Sequence, residues 1–202
     1  MIRVDNIGKK YNDKYVFKNV SFSINSGEMV AIIGKSGCGK TTLLNCIGQL
    51  EPLTNGSVLI EGEVLTKKNR KSFFKKTVGF LFQNFALVDN ETVEENLRIV
   101  SNNQKEMLSL LGEFGMNDFL NSKVYELSGG EQQRVALVRV MLKNPQIILA
   151  DEPTASLDKD NAEIVIQSLR KLSEQGKTVI VATHDQELLS NFSRVIDLNT
   201  FK

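Results

Sequence analysis

Nine consecutive residues, Gly34–Thr42 (GKSGCGKTT), carry the spacing G-x-x-x-x-G-K-[ST]. This is a pattern suited to gripping phosphate. Gly34, Gly37 and Gly39 let backbone N–H groups turn inward around a bend, with Lys35, Ser36 and Cys38 between them. Lys40 adds a mobile cation, and the Thr41 hydroxyl is a hard-oxygen ligand for Mg2+. Thr42 runs on into a helix whose N-terminus adds positive potential. A glycine-rich turn with an unrelated surface lysine would need neither a strand before it nor a helix after it, and both are expected here.

A second group complements the first. In IILADE (147–152) four apolar residues deliver Asp151 and Glu152 to the end of a strand. Asp151 suits Mg2+, directly or through water, and Glu152 suits a general base that orients water on a terminal phosphate. Solvated acids at a strand end would explain IILADE alone, but not its pairing with a phosphate loop. His184 is the single histidine; it closes TVIVATHD (178–185), a third strand expected to reach the same edge, which makes it a candidate phosphate contact.

LSGGEQ (127–132) raises a different question. Ser128 followed by Glu131 predicts a capping box at the start of a long helix. Yet Gly129 and Gly130 then fall in the first turn, where each glycine costs about 1 kcal/mol relative to alanine. A plain N-cap explains Ser128 and Glu131 and leaves the glycines unexplained.

The elements that must position these residues follow from the pattern of the rest. Residues 2–24 alternate in short segments, which predicts antiparallel strands, and MVAIIG (29–34) is an unbroken apolar run, as a strand covered on both faces would be. KTTLLNCIGQL predicts a helix ending before Pro52. Residues 57–65 predict a hairpin strand and 77–83 another strand. From 91 to 144 the periodicity is mostly helical, with a second capping box at Thr92 and Glu95. Strand, helix (about 160–175), strand, short helix and RVIDL complete an alternating pattern. The expected fold class is α/β: a mostly parallel sheet at the core, an antiparallel β edge and a helical insertion.

Composition narrows the partners. With 25 Lys and Arg against 24 Asp and Glu, the net charge of +1 gives no electrostatic reason to expect nucleic acid. Cys38 and Cys46 lack metal-ligand or disulfide-framework spacing, which fits a reducing compartment. Residues 1–30 lack a secretion-signal pattern, and no apolar run approaches the roughly 20 residues that span a bilayer. A cytosolic protein is expected, with any membrane part contributed by another chain.

Together these residues resemble the ATP-binding-cassette ATPases of ABC transporters over essentially the whole chain. GKSGCGKTT matches the Walker A loop, LSGGEQ the family signature, IILADE the Walker B strand, SLD (156–158) the D-loop with Asp158, and His184 the switch histidine. Gln83 falls at the Q-loop, which implies a catalytic and Mg2+-site role beside Thr41 and Asp151. Tyr11 falls where an aromatic stacks on adenine, and Tyr15 stands close enough to compete for that place. The resemblance implies one P-loop NTPase-type domain over 1–202, with a core of about 1–83 and 146–202 and a helical subdomain of about 84–145. It also implies ATP and Mg2+ as cofactors and a second copy of the chain packed head to tail. In that arrangement Ser128, Gly129, Gly130 and Gln132 of one copy face the ATP held by the other, the bare glycines admitting the γ-phosphate to helix N–H groups. A separate transmembrane permease would hold the chain at the inner face of the cell membrane.

VGFLFQNFALVDNETVEENL (78–97) and ILADEPTASLD (148–158) are similar to the lipoprotein-release, macrolide-export and cell-division branch, and nearest to lactococcin-type bacteriocin-export ATPases. Ala155 stands where that branch usually has glycine, and Thr41 where serine is commoner. Export of a peptide, drug or lipoprotein-like cargo is the expectation, with a cell-division-type role, signalling through a membrane partner without transport, as the alternative. Residues 84–91 are expected either to line a groove for a partner's cytoplasmic helix or, through Phe85, Leu87 and Val88, to be ordinary core. The basic run 67–76 is expected to be a solvated loop, with contact to lipid headgroups as the alternative.

Overall fold

The computed structural model describes residues 1–66, 69–155 and 157–201. Among the described residues nine strands form two sheets: β1 (Ile2–Tyr11), β2 (Lys14–Ile24), β3 (Met29–Ile33), β4 (Asn55–Ile60), β5 (Glu63–Val64), β6 (Val78–Leu81), β7 (Ile147–Asp151), β8 (Thr178–Ala182) and β9 (Arg194–Asp197). The helices are α1 (Lys40–Ile47), α2 (Arg70–Ser72), α3 (Val93–Arg98), α4 (Gln104–Glu113), α5 (Gly129–Lys143) and α6 (Lys159–Glu174). The larger sheet is parallel, in the order β6-β7-β8-β3-β9, and the smaller is antiparallel, in the order β2-β1-β4-β5. This is the expected α/β arrangement, a parallel core sheet with an antiparallel sheet beside it.

The unbroken apolar runs are strands buried on both faces. Along β7, Ile147 and Leu149 enter the core shared with α1 and the antiparallel sheet, whereas Ile148 and Ala150 enter the core shared with α5 and α6. Along β8, Ile180 and Ala182 take the first side and Val179 and Val181 the second. Period-two alternation between two apolar layers therefore leaves no polar position from Ile147 to Ala150 or from Val179 to Ala182. A third core joins the helices between 93 and 143 through Leu97, Met107, Leu111, Val135 and Val138. α5 is shared, since its Ala136, Leu137 and Val140 pack on the sheet side.

Both capping boxes form. Thr92 Oγ1 accepts from Glu95 N at 3.2 Å while Glu95 Oε2 accepts from Thr92 N at 2.7 Å; at α5, Glu131 Oε2 accepts from Ser128 N at 2.7 Å. Bonds from the Thr92 N–H and hydroxyl hold the Glu95 carboxyl down to about 2, and Ser128 lowers Glu131 in the same way. A depressed folded-state value means stabilisation that is present above the unfolded value, about 4.3. It is lost as pH falls through the folded value. We therefore expect the urea midpoint to drop between about pH 4.3 and pH 2, and Glu95→Gln to flatten part of that drop. Equilibrium unfolding followed by circular dichroism across this range is the check.

The basic run is more than a loop. Lys67 and Lys68 lie outside the described residues, but Phe73 is buried, Phe74 stacks on Phe80 at 6.3 Å, and Arg70 lies 5.4 Å over the Phe74 ring.

Candidate functional site

Strand register brings the candidate residues to one edge. β8 pairs with β7 on one side and β3 on the other, so Asp151 stands opposite Ala182 and Ala182 opposite Ile32. The chain leaves β3 into the Gly34 loop, β7 into Glu152, β8 into Thr183 and His184, and β6 towards Gln83. All four exits are carboxyl ends of parallel strands, the edge where α/β sheets bind ligands.

A hollow of about 510 Å³ at this edge is lined by Gly37, Gly39, Lys40, Thr41, Thr42, Gln83, Glu152 and His184. A second of about 520 Å³ is lined by Gly34, Lys35, Ser36, Lys40, Glu152 and His184, with Asp197 and Asn199 beyond them. The loop needs its glycines: Gly39 has φ +99°, and a Cβ there would lie 2.4 Å from Val16 Cγ1. Cys38 is a half-buried loop residue whose sulfur lies against Gly34.

The reactive groups converge at short range. Lys40 is buried; its Nζ donates to Gly34 O at 3.1 Å and stands 3.8 Å from Glu152 Oε1. Thr41 Oγ1 donates to Asp151 Oδ1 at 3.1 Å. Burial pushes the Asp151 carboxyl above its ordinary value, and the Thr41 hydrogen bond opposes that. His184 Nδ1 lies 2.9 Å from Glu152 Oε2, and His184 N donates to the same oxygen at 3.3 Å. Glu152 itself is left-handed, with φ +45°, while its N–H still bonds Ala182 O at 2.9 Å. The sheet thus holds the Glu152 backbone at the moment the chain turns. For a non-glycine residue that conformation costs about 1–2 kcal/mol. It directs a carboxylate, with only 13% of its side chain exposed, at both Lys40 and His184, whose own side chain is 66% exposed.

The other candidates lie elsewhere. None of Ser128, Gly129, Gly130, Gln132 and Asp158 lines either hollow. Gln132 Nε2 bonds Leu127 O at 3.0 Å, and Asp158 caps α6 through Asn161 N at 2.9 Å. Tyr11, exposed at the end of β1, bonds Glu51 through its hydroxyl, which is pushed up to about 12, and Lys9 Nζ lies 4.7 Å over its ring. Tyr15 is equally exposed, with Lys10 6.0 Å from its ring.

The structure supplies an internal reason for one glycine of LSGGEQ: a Cβ on Gly130 would sit 2.8 Å from Asn161 Nδ2. Asn161 in turn bonds Arg134 and Asp158, tying the tip of α5 to the start of α6. Gly129 is different, since a Cβ there would meet only Phe85 Cζ at 3.8 Å. Space at Gly130 is thus limited by a side chain of the same chain, whereas space at Gly129 is open.

Residues 84–91 carry apolar side chains of both kinds, packed and exposed. Phe85 and Leu87 pack against the core, whereas Val88 is 46% exposed. Sequence reasoning missed the side chains that hold this segment. Buried Asn96 accepts from Val88 N at 2.8 Å and donates to Val88 O and Thr92 O, and Arg139 bonds the carbonyls of Phe85 and Ala86. The available signal was a polar residue on the apolar face of each helix.

Comparison with known proteins agrees with this geometry. The family model described as ABC transporter matches residues 17–155. The macrolide export ATP-binding/permease protein MacB of Campylobacter jejuni is 37% identical over 98% of this chain, which spans only 33% of that protein's length. The phosphonates import ATP-binding protein PhnC 2 of Oceanobacillus iheyensis is 36% identical over 99% of this chain and 87% of its own. A dimeric structure of the ATP-binding cassette MJ0796, in a post-hydrolysis state bound to ADP and Pi, superposes with a TM-score of 0.88. It is 38% identical, over 98% of this chain and 94% of that one.

Proposed function

The chain belongs to the ABC transporter family as an ATP-hydrolysing nucleotide-binding subunit, and on that premise we propose that two copies close head to tail around two ATP molecules to drive a separate transmembrane permease. The observation that carries this reading is the meeting of Lys40, Thr41–Asp151 and Glu152–His184 at one sheet edge.

Lys40, held inside its loop, neutralises and orients the terminal phosphates. Thr41 Oγ1, Asp151 Oδ1 and the side-chain oxygen of Gln83 are hard donors, a set that fits Mg2+ and would hold it. When bound, Mg2+ offsets charge on the phosphate oxygens. Glu152 orients the attacking water and accepts its proton, and His184 keeps the Glu152 carboxylate aimed through Nδ1. Tyr11, or Tyr15 beside it, stacks on adenine. Ser128, Gly129, Gly130 and Gln132 complete the partner copy's site, with Asp158 at the contact between copies. The helical stretch 84–145 is the part that meets the permease, with Val88 in its contact surface, and the assembly sits at the inner face of the cell membrane. No helix among the described residues is long and apolar enough to cross a membrane.

The cargo reading is export of a peptide, drug or lipoprotein-like molecule. It is supported by the branch-specific wording of 78–97 and 148–158 and by the likeness to MacB; the likeness to PhnC 2 is the competing indication. Isolating the membrane chain that copurifies from the source cell, and assaying the direction of transport in vesicles, decides between them.

Dimerisation is tested by kinetics. Phosphate release should rise faster than the first power of protein concentration at low concentration. It should become linear once the dimer is saturated. First-power dependence throughout, with a monomer by light scattering in the presence of Mg2+ and ATP, overturns the proposal.

A further inference from the structure

We infer that Arg139 is a positioning residue for Gln83: its guanidinium holds the loop after Gln83 in a backbone conformation that the loop would not keep alone. The inference rests on the role proposed above for Gln83.

Phe85 and Ala86 are successive non-glycine residues in the left-handed region, with φ +61° and +49°. Each is disfavoured by its Cβ, and two in a row persist only where surrounding groups over-determine them. Arg139, on the middle of α5, supplies that determination. Its Nη1 donates to Ala86 O at 2.7 Å and its Nη2 to Phe85 O at 2.9 Å, so one planar fork binds the carbonyls of both strained residues. Burial pushes the guanidinium below its ordinary value, a cost that the two charge-assisted bonds offset.

The far end of the loop is fixed separately. Buried Asn96 of α3 accepts from Val88 N at 2.8 Å and donates to Val88 O at 3.1 Å. Between these anchors the chain has little freedom to relax, and Gln83 lies immediately before them, on the hollow with Thr41, Glu152 and His184. α5 also reaches the Glu152 loop, where buried Gln133 donates from Nε2 to Pro153 O at 2.6 Å. One helix therefore gives the Gln83 loop and the Glu152 loop a common frame.

Arg139→Met removes the fork and keeps the bulk of the aliphatic stem. We expect kcat to fall roughly tenfold to a hundredfold, the scale of a misplacement by about 1 Å. ATP affinity measured in EDTA should stay within about twofold, because the phosphate loop is untouched. Amide hydrogen exchange should accelerate in a peptide covering 84–91 and not in one covering the Gly34 loop. Arg139→Lys, which keeps the charge but loses the fork, should lose several-fold in kcat and carries the test if the Met variant folds poorly. An unchanged kcat in both variants overturns the inference. So does a loss of EDTA-measured ATP affinity as large as the loss of kcat, or exchange that rises equally everywhere, since either marks a general packing role. If the wild type hydrolyses no ATP with Mg2+, or Glu152→Gln leaves its rate unchanged, the functional reading fails instead.

Discussion

Glu152→Gln is expected to lower the rate of ATP hydrolysis by about 10² to 10⁴, the usual worth of a positioned general base, while ATP still binds. The substitution preserves shape: an amide can keep the contacts to His184 Nδ1 at 2.9 Å and to the neighbourhood of Lys40 at 3.8 Å. What it removes is a negative charge able to take a proton. Removing that charge also eases repulsion of the terminal phosphate, so affinity should hold or rise. With hydrolysis blocked, the closed dimer should accumulate on gel filtration with Mg2+ and ATP. Phosphate-release assays and fluorescent-nucleotide titration separate the two effects. A parallel loss of binding and turnover would place Glu152 in the maintenance of the fold rather than in the reaction.

Gly48→Ala should lower stability markedly. Gly48 ends α1 beneath the sheet, and a Cβ there would lie 2.3 Å from Phe80 Cζ, 2.7 Å from Phe80 Cε1 and 2.8 Å from Leu149 Cδ1. None of these atoms can step aside easily. The Phe80 ring stacks on Phe82 at 5.2 Å with only 2° between planes and meets Phe74 at 6.3 Å, and Leu149 is buried in β7. Overpacking of this kind costs about 1–3 kcal/mol. For a chain of this size that corresponds to a fall of about 2–12 °C in Tm. Differential scanning calorimetry reads the shift, and a Tm within 1 °C of the wild type would show that α1 slides on the sheet more freely than this packing allows.

Much of the site was legible because its parts are local. The spacing of Gly34–Thr42, the apolar run of IILADE and the Ser128–Glu131 and Thr92–Glu95 boxes each announce a strand, a loop or a helix start within a few residues. The parallel sheet was legible as a class, since only strands covered on both faces can dispense with polar positions. What stayed hidden is what the chain decides at a distance. Nothing near Gly130 in sequence points to Asn161, and nothing near Phe85 points to Arg139. The left-handed pair at Phe85 and Ala86 has no glycine or asparagine to mark it, and its stability comes from a helix more than fifty residues away. Asn96 falls on the apolar face of α3 with Val93 and Leu97, which marks it as unusual but says nothing of the loop it binds. Polar contacts between distant segments carry no period, so periodicity cannot find them.

The register of the three inner strands sets what this molecule can tolerate as it diverges. The contacts at the sheet edge, 3.1 Å from Thr41 to Asp151, 2.9 Å from His184 to Glu152 and 3.8 Å from Lys40 to Glu152, are about as long as the rise of one residue along a strand, roughly 3.3 Å. A single insertion or deletion within β3, β7 or β8 therefore moves a reacting atom by the whole length of the bond it must make. Letters in these strands can change among apolar residues of similar volume, but their number is frozen. Drift in length has to be absorbed at the opposite rim, in the turns that feed these strands.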